Sequence, residues 1–144
     1  MQLLLQDLGA RVTYGVNCVS NGIWKDRVFK MTGVSLYNKE LPTIEFKSER
    51  GGYINVPVNL VKPYLRPMSN MTDKEKEEIE DVTKGSYRVT QDGSIVSTEF
   101  RDAACFTSQW DAMTIIDWLN AHHFDYHGLI TKNLAFEAPK GMYN

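Results

Sequence analysis

The residues best suited to chemistry are the three histidines, which fall within six positions near the C-terminal end of the chain. They are His122, His123 and His127, with the carboxylate of Asp125 among them. Imidazole nitrogens and carboxylate oxygens are ligands of zinc and similar ions. No HExxH or comparable signature accompanies them. A metal-dependent enzyme that uses this cluster is therefore the alternative interpretation. The simpler interpretation is structural: one histidine lies at a helix C-terminus and another packs beside Trp118.

The two cysteines give no indication of catalysis or metal binding. Cys18 and Cys105 lie far apart in apolar surroundings and neither belongs to a CxxC pair, so both are expected to be reduced core residues. The sequence also contains no GxSxG nucleophile motif and no phosphate-binding loop. Because it carries no catalytic or cofactor motif, we interpret the chain as a non-enzymatic binding or adaptor module and expect no cofactor.

Basic and aromatic residues are concentrated in the N-terminal half and could bind a partner there. Residues 1–67 hold nine Lys and Arg against five Asp and Glu, a local charge of +4, whereas the rest of the chain carries −6. Trp, Tyr and Arg are also the residue types that dominate binding hot spots. We therefore expect a protein or nucleic-acid partner to bind this half. The candidate contact residues are Trp24, Arg27, Tyr37 and Arg50.

Alternating apolar and polar residues predict a small, strongly bent β structure in residues 1–67. Residues 12–18 alternate with a period of two, which places Arg11 on the solvent side of a first strand. Further strands are predicted at about 27–37, 44–47 and 54–58. Gly33 is expected to mark a bulge or a bend. Because short strands, one tight helical turn and a last strand follow in order, we expect an SH3-like small β-barrel or a bent antiparallel sheet.

A polar helical segment is predicted to connect this half to the rest of the chain. Thr72 and Glu75 match a capping box, in which each side chain accepts a hydrogen bond from the backbone amide of the other residue. The helix that follows, at 73–81, is almost entirely charged. A helix with so little apolar surface cannot be core, so we expect residues 68–84 to form a solvated acidic connector.

The remaining residues, 85–144, are predicted to form a hairpin followed by an amphipathic helix. Asp92 and Gly93, placed between two β-prone runs, are a strong hairpin signal. Residues 108–121 form the longest amphipathic segment of the chain. Its expected core residues are Trp110, Met113, Ile116 and Leu119, with Ile115 and Trp118 alongside them on a wide apolar face. The fold class is therefore α+β, and the three parts could pack as one domain.

Composition sets the broad class of the protein. The chain has 144 residues, of which 42% are hydrophobic and 24% are charged, and its formal charge is −2. These proportions are typical of one small globular domain or two very small ones. The N-terminus has neither the basic start nor the long apolar core of a signal peptide, and no stretch approaches about 20 apolar residues. We therefore expect a cytoplasmic protein with no membrane partner.

Two segments of the chain resemble a known group of proteins. The first is LVKPYLRPMSNMT at 60–72, followed by the acidic run DKEKEE, and the second is IDWLNAHHFDY at 116–126. Together they are similar to a family of small uncharacterised proteins found in gut Bacteroides-type bacteria and their phages or prophages. The resemblance implies an accessory role in the cytoplasm of a bacterial or phage-infected cell. It implies no particular catalytic or binding residue.

Overall fold

The structure is a computed structural model that describes residues 1–21, 27–98 and 109–143, without the side chains of Gln109 and Trp110. The predictions made for Trp24, for Cys105 and for the Trp110 side chain therefore lie outside the described residues. The chain divides into two compact units. The first unit comprises Met1–Leu65 with His127–Asn144, and the second comprises Arg66–Tyr126.

Helices and strands occur in both units, so the protein is a mixed α+β protein. In chain order the described elements are α1 (Gln2–Ala10), a 3-10 helix (Val12–Tyr14), β1 (Asn17–Ser20), β2 (Val28–Ser35), β3 (Thr43–Ser48), β4 (Gly52–Pro57), a 3-10 helix (Val58–Leu60), β5 (Val61–Leu65), a 3-10 helix (Met68–Asn70), α2 (Asp73–Val82), β6 (Tyr87–Val89), β7 (Ile95–Ser97), α3 (Gln109–Ala121) and β8 (Phe136–Glu137). None of these helices is long and apolar enough to cross a membrane.

The first unit is built on a six-stranded sheet with the strand order β4-β3-β2-β1-β5-β8. All neighbouring pairs are antiparallel except β5 and β8, which run parallel. Within the described residues no strand pairing joins the two edges, β4 and β8, so the sheet is mostly antiparallel and does not form a closed barrel. The register shifts between Met31 and Gly33 in β2, which confirms the predicted irregularity at Gly33.

Alternation along the strands decides which side chains enter the core of the first unit. Ile44 and Phe46 of β3 and Val56 of β4 are buried, while the residues between them face solvent or are half-buried. Helix α1 adds Leu4 and Leu8, which share one face at a spacing of four residues. The period of two therefore correctly indicated the inner face of this hairpin.

The predicted strand at 12–18 is wrong over its first half. Val12–Tyr14 forms a 3-10 helix that ends at Gly15 in a left-handed conformation, and β1 begins only at Asn17. Arg11, expected on a solvent-facing side, is completely buried. The reason is that Arg11 follows directly on α1, where its guanidinium pairs with Asp7 one helical turn earlier.

The last residues of the chain belong to the first unit rather than to a C-terminal half beginning at residue 85. Phe136 and Glu137 pair with Tyr64 and Leu65 in the parallel edge of the sheet. Tyr143 then donates a hydrogen bond from its hydroxyl to the carbonyl oxygen of Tyr64 (2.7 Å). The same hydroxyl accepts one from the Asn17 amide (3.0 Å), and burial raises the pKa of Tyr143. These contacts tie the segment to β5 and β1.

The second unit contains α2, the β6–β7 hairpin and α3. The predicted capping box is present: the Thr72 hydroxyl accepts from the Glu75 amide, and Glu75 accepts from the Thr72 amide. Helix α2 is not a fully solvated connector, because Ile79 is completely buried. The buried residues of this unit's core are Met71, Ile79, Ile115, Leu119 and Phe124.

Only part of the wide apolar face predicted for α3 is buried. Ile115 and Leu119 are buried, whereas Met113 is 61% exposed and Ile116 is 46% exposed. The prediction of Met113 and Ile116 as core residues is therefore wrong, and that of Leu119 is confirmed. Apolar side chains at 113, 115, 116, 118 and 119 define two overlapping faces, and helical periodicity alone does not choose between them.

Candidate functional site

A cavity of about 600 Å³ lies at the end of the first unit's sheet where β2 begins and β3 turns into β4. Among the described residues, four cationic side chains and one carboxylate line it, together with smaller and apolar groups. The charged lining residues are Arg27, Lys30, Lys47, Arg50 and Glu49. We refer to this cavity as the basic cleft. Four cations against one carboxylate leave an excess of positive charge, and the resulting positive potential favours an anionic ligand.

Strand alternation places the two lysines of the basic cleft. Met31 of β2 and Phe46 of β3 are register partners, and both are buried. Their neighbours along the strands, Lys30 and Lys47, consequently face outward and are exposed. Both lysines also line an adjoining cavity of about 440 Å³. The cationic surface therefore continues from one cavity to the next.

The turn between β3 and β4 presents Arg50 to the basic cleft. The Arg50 amide donates to the Ser48 hydroxyl (3.3 Å), and the Gly51 amide donates to the Ser48 carbonyl oxygen (3.1 Å). Gly51 has a φ of 79°, which a residue with a side chain rarely adopts. The turn thus has a defined conformation, which fixes the backbone position from which the Arg50 side chain extends.

The structure brings together only some of the predicted contact residues. Arg27 and Arg50 both line the basic cleft. Tyr37 is fully exposed in the connection between β2 and β3 and is not among the cleft residues. Lys30 and Lys47 also line the basic cleft and were not among the predicted contact residues. Their outward position in the strand alternation, combined with their charge, is the signal that could have identified them.

The three histidines do not form one site. Within the described part of the chain, no group of three His, Cys, Asp or Glu residues is arranged to hold a metal ion. The Nδ1 atom of His122 lies 2.8 Å from the Trp118 carbonyl oxygen and therefore donates to it. The His122 ring stacks on Trp118 with centroids 3.8 Å apart. His122 thus has the structural role of the simpler interpretation, beside Trp118 at the end of α3.

The other members of the predicted metal set have different environments. His123 is buried and has a φ of 61°, so the chain leaves the helix at this residue. The Asp125 amide donates to the carbonyl oxygen of Arg66 (2.8 Å) in the second unit. His127 belongs to the first unit, where its Nδ1 atom lies 2.9 Å from Oδ1 of Asp7.

A buried ion pair in the first unit was not predicted. Arg11 donates to Asp7 through Nε (2.7 Å) and Nη2 (2.9 Å), and both side chains have no solvent exposure. The spacing of four residues between an acid and a base on a helix was the available signal. Nearby, burial and the negative charge of Asp7 raise the pKa of Cys18, which keeps this thiol protonated and unreactive.

Arg66 organises the start of α2 in the second unit. Its guanidinium binds both carboxylate oxygens of Glu75, at 2.7 and 2.9 Å, and lies 4.1 Å from the ring centroid of Phe124. Burial by itself would raise the pKa of Glu75, but hydrogen bonds from Arg66 and Thr72 outweigh it and lower that pKa. This network is structural, since every group in it is engaged within the unit.

Comparison of the chain with protein-family models, with curated proteins and with solved structures finds no match.

Proposed function

We propose that the chain is a non-enzymatic binding module that uses the basic cleft of its first unit to bind an anionic partner. The observation that carries the proposal is the convergence of Arg27, Lys30, Lys47 and Arg50 on one cavity, where Glu49 is the single carboxylate among the described lining residues. Two arginines add planar donor groups that bind carboxylates and phosphates in a bidentate manner. Two lysines add compact charges on flexible stems.

The lining of the basic cleft supports binding more than catalysis. In the part of the chain that the structure describes, it has four cations, one exposed carboxylate and the Ser48 hydroxyl, and no histidine or thiol. Such a set can hold negative charge in place, but it offers no matched acid and base to move a proton. In this proposal the bent sheet is an SH3-like platform with its ligand site at one end.

The resemblance to proteins of Bacteroides-type bacteria and their phages adds the biological part of the proposal. We expect the module to act as an accessory or adaptor protein of phage or prophage origin in the bacterial cytoplasm. A negatively charged protein surface or a nucleic acid is the corresponding partner. An interaction of this kind weakens as salt concentration rises, because exposed charges are screened.

The test is the salt concentration at which the protein elutes from a heparin column, heparin serving as a general polyanion. The variant Lys30→Glu/Lys47→Glu should elute at clearly lower salt than the parent, and Arg27→Glu/Arg50→Glu should do the same. The control is Lys39→Glu/Lys140→Glu, which changes the net charge equally at two exposed positions outside the basic cleft. If all three variants elute at the same salt, only net charge is being measured and the proposed site is wrong.

A further inference from the structure

We infer that the ligand of the basic cleft is a single-stranded nucleic acid, an inference that rests on the function proposed above. The structure presents an exposed aromatic ring beside the cationic residues. Tyr53 of β4 is 65% exposed; it does not itself line the basic cleft, but it is the direct register partner of Lys47 in β3, which does. Side chains of such partners stand about 4.5–5.5 Å apart at Cβ.

The orientation of this pair follows from the strand alternation. Phe46 is buried beside Lys47 in β3, and Ile54 is half-buried beside Tyr53 in β4 and packs against the same core. Phe46 and Ile54 are also register partners. Their neighbours Lys47 and Tyr53 therefore both stand on the outer face of the sheet, next to each other.

The outer face combines the two groups that a nucleotide requires. A nucleotide has a phosphate, which Lys30 and Lys47 can bind, and a flat base, on which Tyr53 can stack. Basic grooves with exposed aromatic rings are the usual means by which proteins bind single strands without sequence preference. Glu45 of β3 also stands on the outer face. Its carboxylate accepts a hydrogen bond from the hydroxyl of Thr32 in β2 (3.2 Å), which holds it against that strand.

Other anions use only part of this surface. An acidic peptide presents carboxylates to the four cations, but it has no flat base to cover Tyr53. A duplex presents phosphates, but its bases are already stacked on one another and cannot reach an aromatic ring. A single strand is the ligand that uses the cations and the ring together.

The experiment measures fluorescence anisotropy of a labelled oligothymidylate of about a dozen nucleotides, within the range bound by small nucleic-acid modules. Matched probes are a duplex of the same length and a labelled acidic peptide. The variants are Tyr53→Ala and Tyr53→Phe, with Tyr37→Ala as the control, because Tyr37 is a fully exposed tyrosine in the connection between β2 and β3 and is not the register partner of a cleft lysine. Circular dichroism verifies that each variant is folded.

We expect the single strand to bind more tightly than the duplex and the peptide. Tyr53→Ala should weaken this binding about 5- to 150-fold, the range for loss of one stacked base. Tyr53→Phe retains the ring and should bind within about twofold of the parent, and Tyr37→Ala should bind like the parent.

Two results would overturn the inference and leave the proposed function intact. One is that the duplex or the peptide binds more tightly than the single strand, and that the charge-reversal variants of the basic cleft lose this binding. The other is an unchanged affinity of Tyr53→Ala for the single strand. If no anionic probe binds and the heparin column retains parent and cleft variants equally, both the inference and the proposed function are wrong.

Discussion

The Nδ1 atom of His127 lies 2.9 Å from Oδ1 of Asp7, although 120 positions separate the two residues in the chain. The same carboxylate accepts hydrogen bonds from Nε and Nη2 of Arg11. A completely buried carboxylate is tolerated because these donors replace the water it has lost. This contact attaches the segment after α3 to helix α1 within the first unit.

The first prediction concerns the buried ion pair. Asp7→Asn keeps the shape of the side chain but leaves the Arg11 guanidinium buried without a counter-charge, so it should cost about 3–5 kcal/mol of unfolding free energy. Urea denaturation measures this loss. Asp73→Asn is the control, because its side chain is 99% exposed and should change little. The double variant Asp7→Leu/Arg11→Met should recover much of the lost stability. An unchanged urea midpoint for Asp7→Asn would contradict the prediction.

The second prediction is a pH dependence in the second unit. Because hydrogen bonds from Arg66 and Thr72 outweigh burial and lower the pKa of Glu75 in the folded state, its contribution to stability is complete above about pH 4.3, the ordinary glutamate value. That contribution is lost as the pH falls through the lowered pKa. Glu75→Gln should therefore be less stable at neutral pH, by about 1 kcal/mol for this partly exposed pair.

The measurement is urea unfolding of the parent and of Glu75→Gln from neutral to acidic pH. The stability difference between them should shrink as the pH falls below the ordinary glutamate range. Glu77→Gln, at an exposed position on the same helix, is the control and should follow the parent. A difference that stays constant at every pH would show that the Glu75 carboxylate is not responsible.

The third prediction compares two adjacent isoleucines of α3. Ile115→Asp places a charge in the core of the second unit and should unfold it, with a loss above about 4 kcal/mol. Ile116→Asp, at a side chain that is 46% exposed, should cost about 1 kcal/mol or less. Thermal melting of both variants distinguishes the two faces of the helix. Equal melting temperatures would mean that the buried face has been assigned to the wrong residues.

The fourth prediction compares two glycines with positive φ in the second unit. Gly93 and Gly85 have φ values of 86° and 79°, so an alanine at either position is strained by about 1–2 kcal/mol. A Cβ at Gly93 would also overlap the Met68 carbonyl group, whereas a Cβ at Gly85 would meet nothing. Gly93→Ala should therefore lose at least about 1 kcal/mol more than Gly85→Ala, measured by urea denaturation. Similar losses would contradict the close approach to Met68.

Local signals explain which parts of the fold were predictable. The capping box at Thr72 and Glu75 and the hairpin around Gly93 depend on residues within a few positions of one another, and both are present. In α3, by contrast, two overlapping apolar faces were compatible with the same spacing, and only packing against α2 and the hairpin selected Ile115 and Leu119.

The sequence by itself determined the α+β class, most of the strands and the excess of basic residues in the first 67 positions, because these follow from short-range periodicity and from composition. Only the tertiary structure decided the rest. The convergence of Arg27 and Arg50 with Lys30 and Lys47 requires the pairing of β2 with β3, and the bond from His127 to Asp7 requires the chain to return to α1. Both arrangements join residues that are far apart in the sequence. They follow from the burial of the core beneath them, which is a property of the whole fold rather than of any local segment.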